Sequence, residues 1–286
     1  MNRPTRISAS SRFHTKYPGG AFSPVEMIDY FHDVGFRAVD FDIETVPTMG
    51  DDWKRIVSEM AERAAQKDVL LEMGHLPFNT IKREDGTADQ EQFHKNMLLA
   101  IEAAGYIGIK HAVIHPKGDR KSSRDNFESE LAANIEYMTP YVELAEKVGV
   151  KLAFENMRSP FEAEGYHRNF STADELIRLA DHFGHGICWD FGHAHTTGLT
   201  QSEELRKIGS RLICLHVNDN HAALDEHLLP FFGTINWVDA MQGLGDINFS
   251  YCFNYECRVM RLPADVRDDI GRHTVALGYK LVEMMG

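Results

Sequence analysis

The sequence predicts a single (β/α)8 barrel, the TIM-barrel class of α/β folds, with residues 1–286 forming one domain. The 286 residues are 43% hydrophobic, which is enough for one large core. Eight short apolar runs alternate with helical patterns, and this alternation favours a parallel sheet closed by βα units. No Pro- or Gly-rich linker divides the chain. Neither GxGxxG nor GxxxxGK[ST], the phosphate loops typical of an open doubly wound sheet, occurs in it.

The eight predicted strands are short apolar runs, and a helical pattern follows each of them. In chain order the predicted strands cover residues 6–10, 38–43, 69–75, 111–115, 151–155, 186–190, 211–216 and 252–256. The predicted helices carry apolar residues at helical spacing. They cover residues 23–35, 51–67, 91–108, 126–149, 171–184, 201–209, 236–243 and 264–284.

Several helix boundaries are marked by particular residues. The first helix begins with Ser23 and Pro24 and is followed by Gly35, a pattern typical of helix ends. The fifth helix opens with Ser-Thr-Ala-Asp at residues 171–174, which favours an N-cap there. Pro140 lies inside the fourth helix and predicts a kink or a break at that point.

The net charge of the chain limits which kinds of molecule it can bind. The formal net charge is −13, and a uniformly acidic surface repels phosphate backbones, so a nucleic-acid partner is disfavoured. The N-terminal residues lack the apolar core of a secretory signal, and no stretch approaches the roughly 20 apolar residues of a membrane span. We therefore expect a cytoplasmic protein that acts on a small molecule, with no membrane partner and with a homo-oligomer allowed.

One side chain able to bind a metal closes each of six predicted strands. These side chains are His75, His115, Glu155, Asp190, His216 and Glu256. Consecutive members lie 26 to 40 residues apart, close to the roughly 36 residues that one βα unit takes in an eightfold barrel of this length. The C-terminal ends of barrel strands meet at one mouth, where active sites form. The sequence therefore predicts that the six side chains converge there.

The four cysteines show no CxxC spacing and are interpreted as reduced packing residues. Side chains two positions apart on a strand share a face, so Cys188 and Cys214 lie one layer beneath Asp190 and His216. Cys252 lies deeper on the last strand and is also interpreted as a core filler. Cys257 points to the other face.

The strand-end residues favour a metal over a buried ion-pair network. Glu155, Asp190 and Glu256 would bring three negative charges together with little basic charge nearby, Arg258 being one basic residue near them in the sequence. A divalent cation offsets that charge at lower cost than burial of unpaired carboxylates. Together with the His216 imidazole, these carboxylates suit Mn²⁺, Zn²⁺, Co²⁺, Mg²⁺ or Fe²⁺.

Four segments carry a family resemblance that extends over essentially the whole chain. They are "AFEN" (153–156), "WDFGHAH" (189–195), "LHVND" (215–219) and "DEHLLPFFGTINW" (225–237), flanked by "GHLPFN" (74–79) and "NYECR" (254–258). The chain resembles the xylose-isomerase-like TIM-barrel superfamily. That superfamily contains sugar and sugar-phosphate isomerases and epimerases, and also the apurinic endonuclease family 2 type.

The resemblance implies site residues for each branch. In the isomerase and epimerase members it implies one metal held by Glu155, Asp190, His216 and Glu256, with both glutamates flanking the reacting carbons and His193 binding a substrate hydroxyl. In the endonuclease branch, which uses three zinc ions, the additional ligands would be His75, His115, His193, Asp225 and His227. All five of these residues are present.

One departure concerns the ketose 3-epimerases. Those enzymes carry an arginine in the loop after the strand-seven histidine, whereas residues 217–227 contain none. That substrate class is therefore in doubt for this chain.

The leading hypothesis is a divalent-metal-dependent isomerase or epimerase of a small sugar or polyhydroxy carbonyl compound. Glu155 and Glu256 would transfer the proton through an enediolate, and Lys117 and Arg258 would hold an acidic group of the substrate, with a simple surface position as the alternative. Phe13, Phe78, Trp189 and Trp237 are candidate pocket walls.

Three alternatives remain beside this hypothesis. One is a multinuclear zinc phosphodiesterase that acts on abasic DNA. Another is a metal-dependent dehydratase of a keto-polyol. The third is a sugar-binding barrel without catalysis.

Overall fold

Eight parallel strands form the centre of the molecule in the computed structural model, which describes residues 6–16, 19–118, 122–159, 166–258 and 262–286. The strands are β1 (Ile7–Ser10), β2 (Ala38–Asp42), β3 (Leu70–His75), β4 (His111–Ile114), β5 (Lys151–Glu155), β6 (Gly186–Asp190), β7 (Leu212–His216) and β8 (Phe253–Tyr255). Each lies where the sequence predicts a strand, with ends that agree within one residue.

The sheet closes on itself as a (β/α)8 barrel. Its hydrogen-bonded order is β8-β1-β2-β3-β4-β5-β6-β7, and every neighbouring pair is parallel. Val217 joins the two ends of this order, because its N–H donates to Asn254 O at 2.9 Å and its carbonyl accepts from Glu256 N–H at 3.0 Å. The predicted fold class is confirmed, and all strand C-termini lie at one mouth.

Helices surround the barrel in the predicted order. They are α1 (Pro24–Val34), α2 (Trp53–Gln66), α3 (Gln90–Ile107), α4 (Phe127–Val148), α5 (Ala173–Phe183), α6 (Phe191–Thr196), α7 (Gln201–Ile208), α8 (Trp237–Asp246) and α9 (Ala264–Glu283). The short helix α6, directly after β6, was not predicted. Four 3₁₀ segments (Ser11–Phe13, Ile43–Asp52, Arg124–Asn126 and Gly209–Arg211) and a two-residue antiparallel pair (Thr15–Lys16 with Gly20–Ala21) complete the described elements.

Pro140 does not break α4, which runs through it as one helix. Proline removes the hydrogen bond to the carbonyl four residues earlier, which belongs to Glu136. Glu136 and Pro140 are both exposed, so that carbonyl lies on the solvent side of the helix. The predicted break is therefore wrong.

The barrel interior beneath the mouth is filled by a compact layer of mostly small side chains. Cys188 and Cys214 belong to it together with Ala153, and both thiols are buried and free. Cys252 Sγ donates to Glu72 at 2.9 Å, and Cys257 packs in the outer core. These positions match the interpretation of the cysteines as packing residues.

Trp189 and Trp237 do not wall the pocket, in contrast to the expectation. Both are buried in the outer core, where their indole N–H groups donate to Gln201 and Asp219. Trp189 precedes Asp190 on β6 and so points away from the barrel interior. Phe78 does lie at the mouth, with its ring 4.7 Å from that of His115, and the Phe13 ring lies 5.0 Å from that of His227.

The described helices include none that is both long and apolar enough to cross a membrane.

Candidate metal centre

The strand ends bring the six predicted residues together at the mouth. Four of them close strands β3, β5, β6 and β7, and the other two directly follow β4 and β8. One ligand atom from each of Glu155, Asp190, His216 and Glu256 lies within 4.8 Å of the others. All four side chains are buried, and Asp190 and His216 are fully inaccessible to solvent.

His216 lies at the centre of this carboxylate group. Its Nδ1 is 3.0 Å from Glu155 Oε1 and 3.4 Å from Glu256 Oε2. Neither of its ring nitrogens has a hydrogen-bond partner among the described residues. An unpartnered buried nitrogen beside three carboxylates is costly, and a divalent cation held by all four side chains would remove that cost. The residues therefore fit a metal site.

A second group of potential ligands adjoins the first through Glu155. His115 Nε2 is 2.9 Å from Glu155 Oε2 and 3.1 Å from His75 Nε2. His75 Nδ1–H donates to the Leu76 carbonyl at 2.8 Å, which leaves the Nε2 lone pair facing His115. Glu155 thus presents one carboxylate oxygen to each group.

A third group joins His193 of α6 to Asp225 and His227 of the loop after β7. His193 Nε2 and His227 Nε2 are 3.5 and 3.3 Å from the same oxygen of Asp225. The Nδ1–H of His193 donates to Asn156 O at 2.7 Å, and that of His227 donates to Glu256 O at 2.9 Å. Both imidazoles are therefore held with Nε2 toward the aspartate, the arrangement that second-shell carbonyls give to ligating histidines.

Two asparagines that the sequence did not single out hold Asp190 in place. Asn218 Nδ2 donates to Asp190 Oδ2 at 2.8 Å, and the Asp190 N–H donates to Asn156 Oδ1 at 2.6 Å. The N–H of His193 donates to Asp190 Oδ1 at 2.6 Å. Their signal in the sequence is position, because Asn156 directly follows one strand-end ligand and Asn218 lies two residues after another.

The negative groups at the mouth stabilise positive charge there. Burial opposes protonation of His216, but Cys188, Glu155 and Glu256 outweigh it and raise the pKa of this imidazole well above its usual value. Burial likewise opposes protonation of His193, but Asp190 and Asp225 raise its pKa to about 10. Positive charge is thus stabilised at two separate points of the cluster.

A cavity of about 440 Å³ opens beside the three ligand groups. His115, His193 and Asp225 line it on the side of the cluster. Lys117, predicted as a substrate contact, also lines it, and its Nζ lies 3.4 Å from the centre of the Tyr137 ring.

Arg258, the other predicted substrate contact, is exposed and does not line this cavity. Its backbone N–H donates to the His227 carbonyl at 2.8 Å. Arg158 and Arg168, which were not predicted, line the cavity instead. Their signal in the sequence is that they follow β5, whose C-terminal loop must lie at the mouth.

Comparisons with known proteins place this geometry in context. The profile of the family described as xylose isomerase-like TIM barrel matches residues 28–274. Inosose isomerase of Bacillus licheniformis is 25% identical over 188 residues, which cover 63% of this chain and 64% of the relative. Uncharacterized protein MJ1311 of Methanocaldococcus jannaschii is 29% identical over 187 residues, which cover 64% of this chain and 63% of the relative. The chain thus matches slightly less than two thirds of the length of both.

The crystal structure of a D-tagatose 3-epimerase-like protein has the same fold. It superposes with a TM-score of 0.71 at 21% identity, and the match covers 98% of each chain.

Proposed function

Since the chain belongs to the xylose isomerase-like TIM-barrel family, we propose that it is a divalent-metal-dependent isomerase or epimerase of a small sugar or polyhydroxy carbonyl compound. The observation that carries the proposal is the buried convergence of Glu155, Asp190, His216 and Glu256 within 4.8 Å. The similarity to an inosose isomerase supports the same substrate class.

These four residues would hold the ion, which the donor set limits to Mn²⁺, Zn²⁺, Co²⁺, Mg²⁺ or Fe²⁺. When bound, the ion supplies Lewis acidity that polarises a substrate carbonyl and acidifies the neighbouring C–H group.

Glu155 and Glu256 are the acid–base pair of the proposal. They approach from β5 and β8, with His216 Nδ1 3.0 Å from one carboxylate and 3.4 Å from the other. One glutamate removes the proton of the carbon next to the carbonyl. The electron pair of that C–H bond forms the enediolate double bond as the carbonyl π pair moves onto the carbonyl oxygen. For isomerisation, a second group returns a proton to the former carbonyl carbon, and the neighbouring hydroxyl loses its proton to become the new carbonyl. For epimerisation, the proton returns to the opposite face of the original carbon.

His193 binds a substrate hydroxyl in this proposal. It lines the cavity, and its ring is fixed because Nδ1–H donates to Asn156 O at 2.7 Å. The Nε2 side of the ring is therefore the one that meets the substrate, next to Asp225.

The test is proton exchange. Protein stripped with a chelator and reloaded with each of the five ions is incubated in D₂O with ketoses, aldoses and keto-inositols. Deuterium incorporation next to the carbonyl, together with a new isomer in the NMR spectrum, is the expected result. Absence of exchange with every substrate and ion contradicts the proposal.

A second candidate, a multinuclear zinc phosphodiesterase acting on abasic DNA, has one observation in its favour. The groups around His75 and Asp225 adjoin the central group, so the mouth offers ligands for more than one ion. Against it stands the net charge of −13, which repels a DNA backbone. About three zinc ions per chain with cleavage of an abasic duplex would favour this candidate. One ion without cleavage would exclude it.

A further inference from the structure

Three cationic side chains line the same cavity as the ligand groups. They are Lys117 from the loop after β4, and Arg158 and Arg168 from the segment after β5. The chain as a whole is acidic, with a net charge of −13. The local concentration of positive charge in this cavity is therefore not a consequence of the overall composition.

These three cations have no carboxylate partner within the described ranges. The Nη2 of Arg168 contacts the Met157 sulfur at 3.3 Å, and its buried Nε has no hydrogen-bond partner in the part of the chain that the structure describes. Lys117 rests on the Tyr137 ring. A buried guanidinium N–H without an acceptor is costly, so the protein keeps this arrangement at the expense of stability.

The two carboxylates that line the same cavity, Asp89 and Asp225, contact residues other than these three cations. Asp225 lies between His193 and His227. Asp89 caps α3 by accepting from Gln92 N–H, and it also pairs with Arg83 at 3.4 Å.

Side-chain hydrogen bonds fix the backbone that carries Lys117 and Arg168. The buried Asn134 side chain accepts from Lys117 N–H at 2.8 Å and donates to Lys117 O at 3.0 Å. Arg168 N–H donates to Ser159 Oγ at 2.9 Å. Gly118 makes room for the guanidinium, since an added Cβ there would lie 3.1 Å from Arg168 Nε.

We propose that Lys117, Arg158 and Arg168 bind an anionic group, a carboxylate or a phosphate, at the end of the substrate remote from the reacting carbonyl. The inference rests on the proposed function, because one cavity joins these cations to His115 and His193 at the ligand groups. A polyhydroxy carbonyl compound in the cavity would place its carbonyl at the cluster and its charged end at Arg168. The substrate class is thus a sugar acid or a sugar phosphate rather than a neutral sugar.

The experiment measures binding of matched probes to the metal-loaded protein by calorimetry. D-Gluconate has a carboxylate where D-glucitol has a hydroxymethyl group, and the two are otherwise the same. D-Glucitol 6-phosphate tests phosphate as the anionic group. One of the two anionic probes should bind the wild type more tightly than the other. We expect Arg168→Gln and Lys117→Gln each to lower the affinity for that probe by about 10-fold or more. D-Glucitol affinity should stay unchanged, and Arg168→Lys should retain part of the preference.

The control is Arg178→Gln, which alters an exposed arginine paired with Glu128 on the outer surface. It should bind all three probes as the wild type does. Equal affinity of the anionic probes for wild type and both cation variants overturns the inference, since the anion would then bind at the metal. The inference is also overturned if the variants lower the affinity for D-glucitol as much as the affinity for the anionic probes. None of the probes has an aldehyde or ketone group to isomerise, so their affinities do not depend on catalysis. A negative result in the proton-exchange test would contradict the proposed function and leave this inference to be decided by the affinities alone.

Discussion

Asp40 lies behind His216, on the opposite side of the imidazole from the ligand group. Its Oδ2 is 3.7 Å from His216 Nε2, whereas His216 Nδ1 is 3.0 Å from Glu155 Oε1. Asp40 is fully buried and accepts from Asn254 Nδ2 at 3.2 Å. A carboxylate behind a ligating imidazole fixes the ring and raises its basicity. Asp40 therefore faces Nε2 in the orientation that turns Nδ1 toward the ligand group.

Asp40→Asn should lower metal affinity by about 10- to 100-fold, because the neutral amide no longer supports the imidazole. Competition with a fluorescent chelator measures the affinity, and circular dichroism checks the fold. Asp51→Asn, at an exposed position, is the control and should bind metal normally. A wild-type affinity in Asp40→Asn would contradict this role.

Asp190→Ala should lose most of the bound metal while keeping the fold, because the side chain is one of four proposed ligands. Elemental analysis after purification gives the metal content per chain. Asp181→Ala serves as the control, since Asp181 is half exposed and pairs with Arg211 on the outer surface. Unchanged metal content in Asp190→Ala would remove Asp190 from the ligand set.

Gly192→Ala should damage the site through Asn218. A Cβ on Gly192 would lie 2.0 Å from Asn218 Oδ1, and Asn218 holds Asp190 through a 2.8 Å hydrogen bond. We expect a loss of about 1–3 kcal/mol in the free energy of unfolding and weaker metal binding. In the control, Gly19→Ala, the added Cβ meets no atom of the described residues closer than 3.5 Å. Equal stability of the two variants in urea would refute the expectation.

The strand-end ring could be predicted because it depends on chain order alone. A barrel places every strand C-terminus at one mouth, so a ligand such as Glu155 needs only its position after an apolar run. Asp40 could not be predicted, because its β run also contains Asp42 on the same face, and the sequence gives no sign of whether that face points into the barrel. Arg158 and Arg168 could not be predicted as cavity residues either, because the conformation of the loop decides whether a side chain enters the cavity or the solvent.

His14 should make stability fall as the pH drops below neutrality. Burial, aided by the nearby Arg267 charge, lowers the pKa of this imidazole from 6.5 to about 3. Between these values the unfolded chain binds a proton that the folded chain excludes, so the contribution is complete above pH 6.5 and declines toward pH 3. At pH 5 the loss is about 2 kcal/mol relative to pH 7.5.

The variant His14→Phe keeps a ring against Phe31 and Phe36 but cannot titrate. Urea unfolding at pH 7.5 and pH 5 should show a smaller decrease in unfolding free energy for His14→Phe than for the wild type. Parallel decreases in the two proteins would mean that His14 is not the group responsible.

The last prediction concerns Glu155 and Glu256 as proton-transfer groups. They are 101 positions apart in the chain, yet each has a carboxylate oxygen within 3.4 Å of His216 Nδ1. A carboxylate that binds a metal through one oxygen can still use the other as a base, and its position beside the ion places it near the acidified proton. Replacement by glutamine keeps the size of the side chain and removes the base. We expect Glu155→Gln and Glu256→Gln each to lower turnover by about 10²–10⁴-fold.

Because both glutamates are also proposed ligands, this comparison needs saturating metal and a measured metal occupancy for each variant. Glu59→Gln is a matched control, since Glu59 is half exposed and pairs with Arg55 on α2, and it should leave turnover near the wild-type value. If both site variants keep near-full turnover at full occupancy, proton transfer by these glutamates is wrong. The hydrolytic candidate, which needs no carbon-bound proton to move, would then explain the same cluster of ligands better.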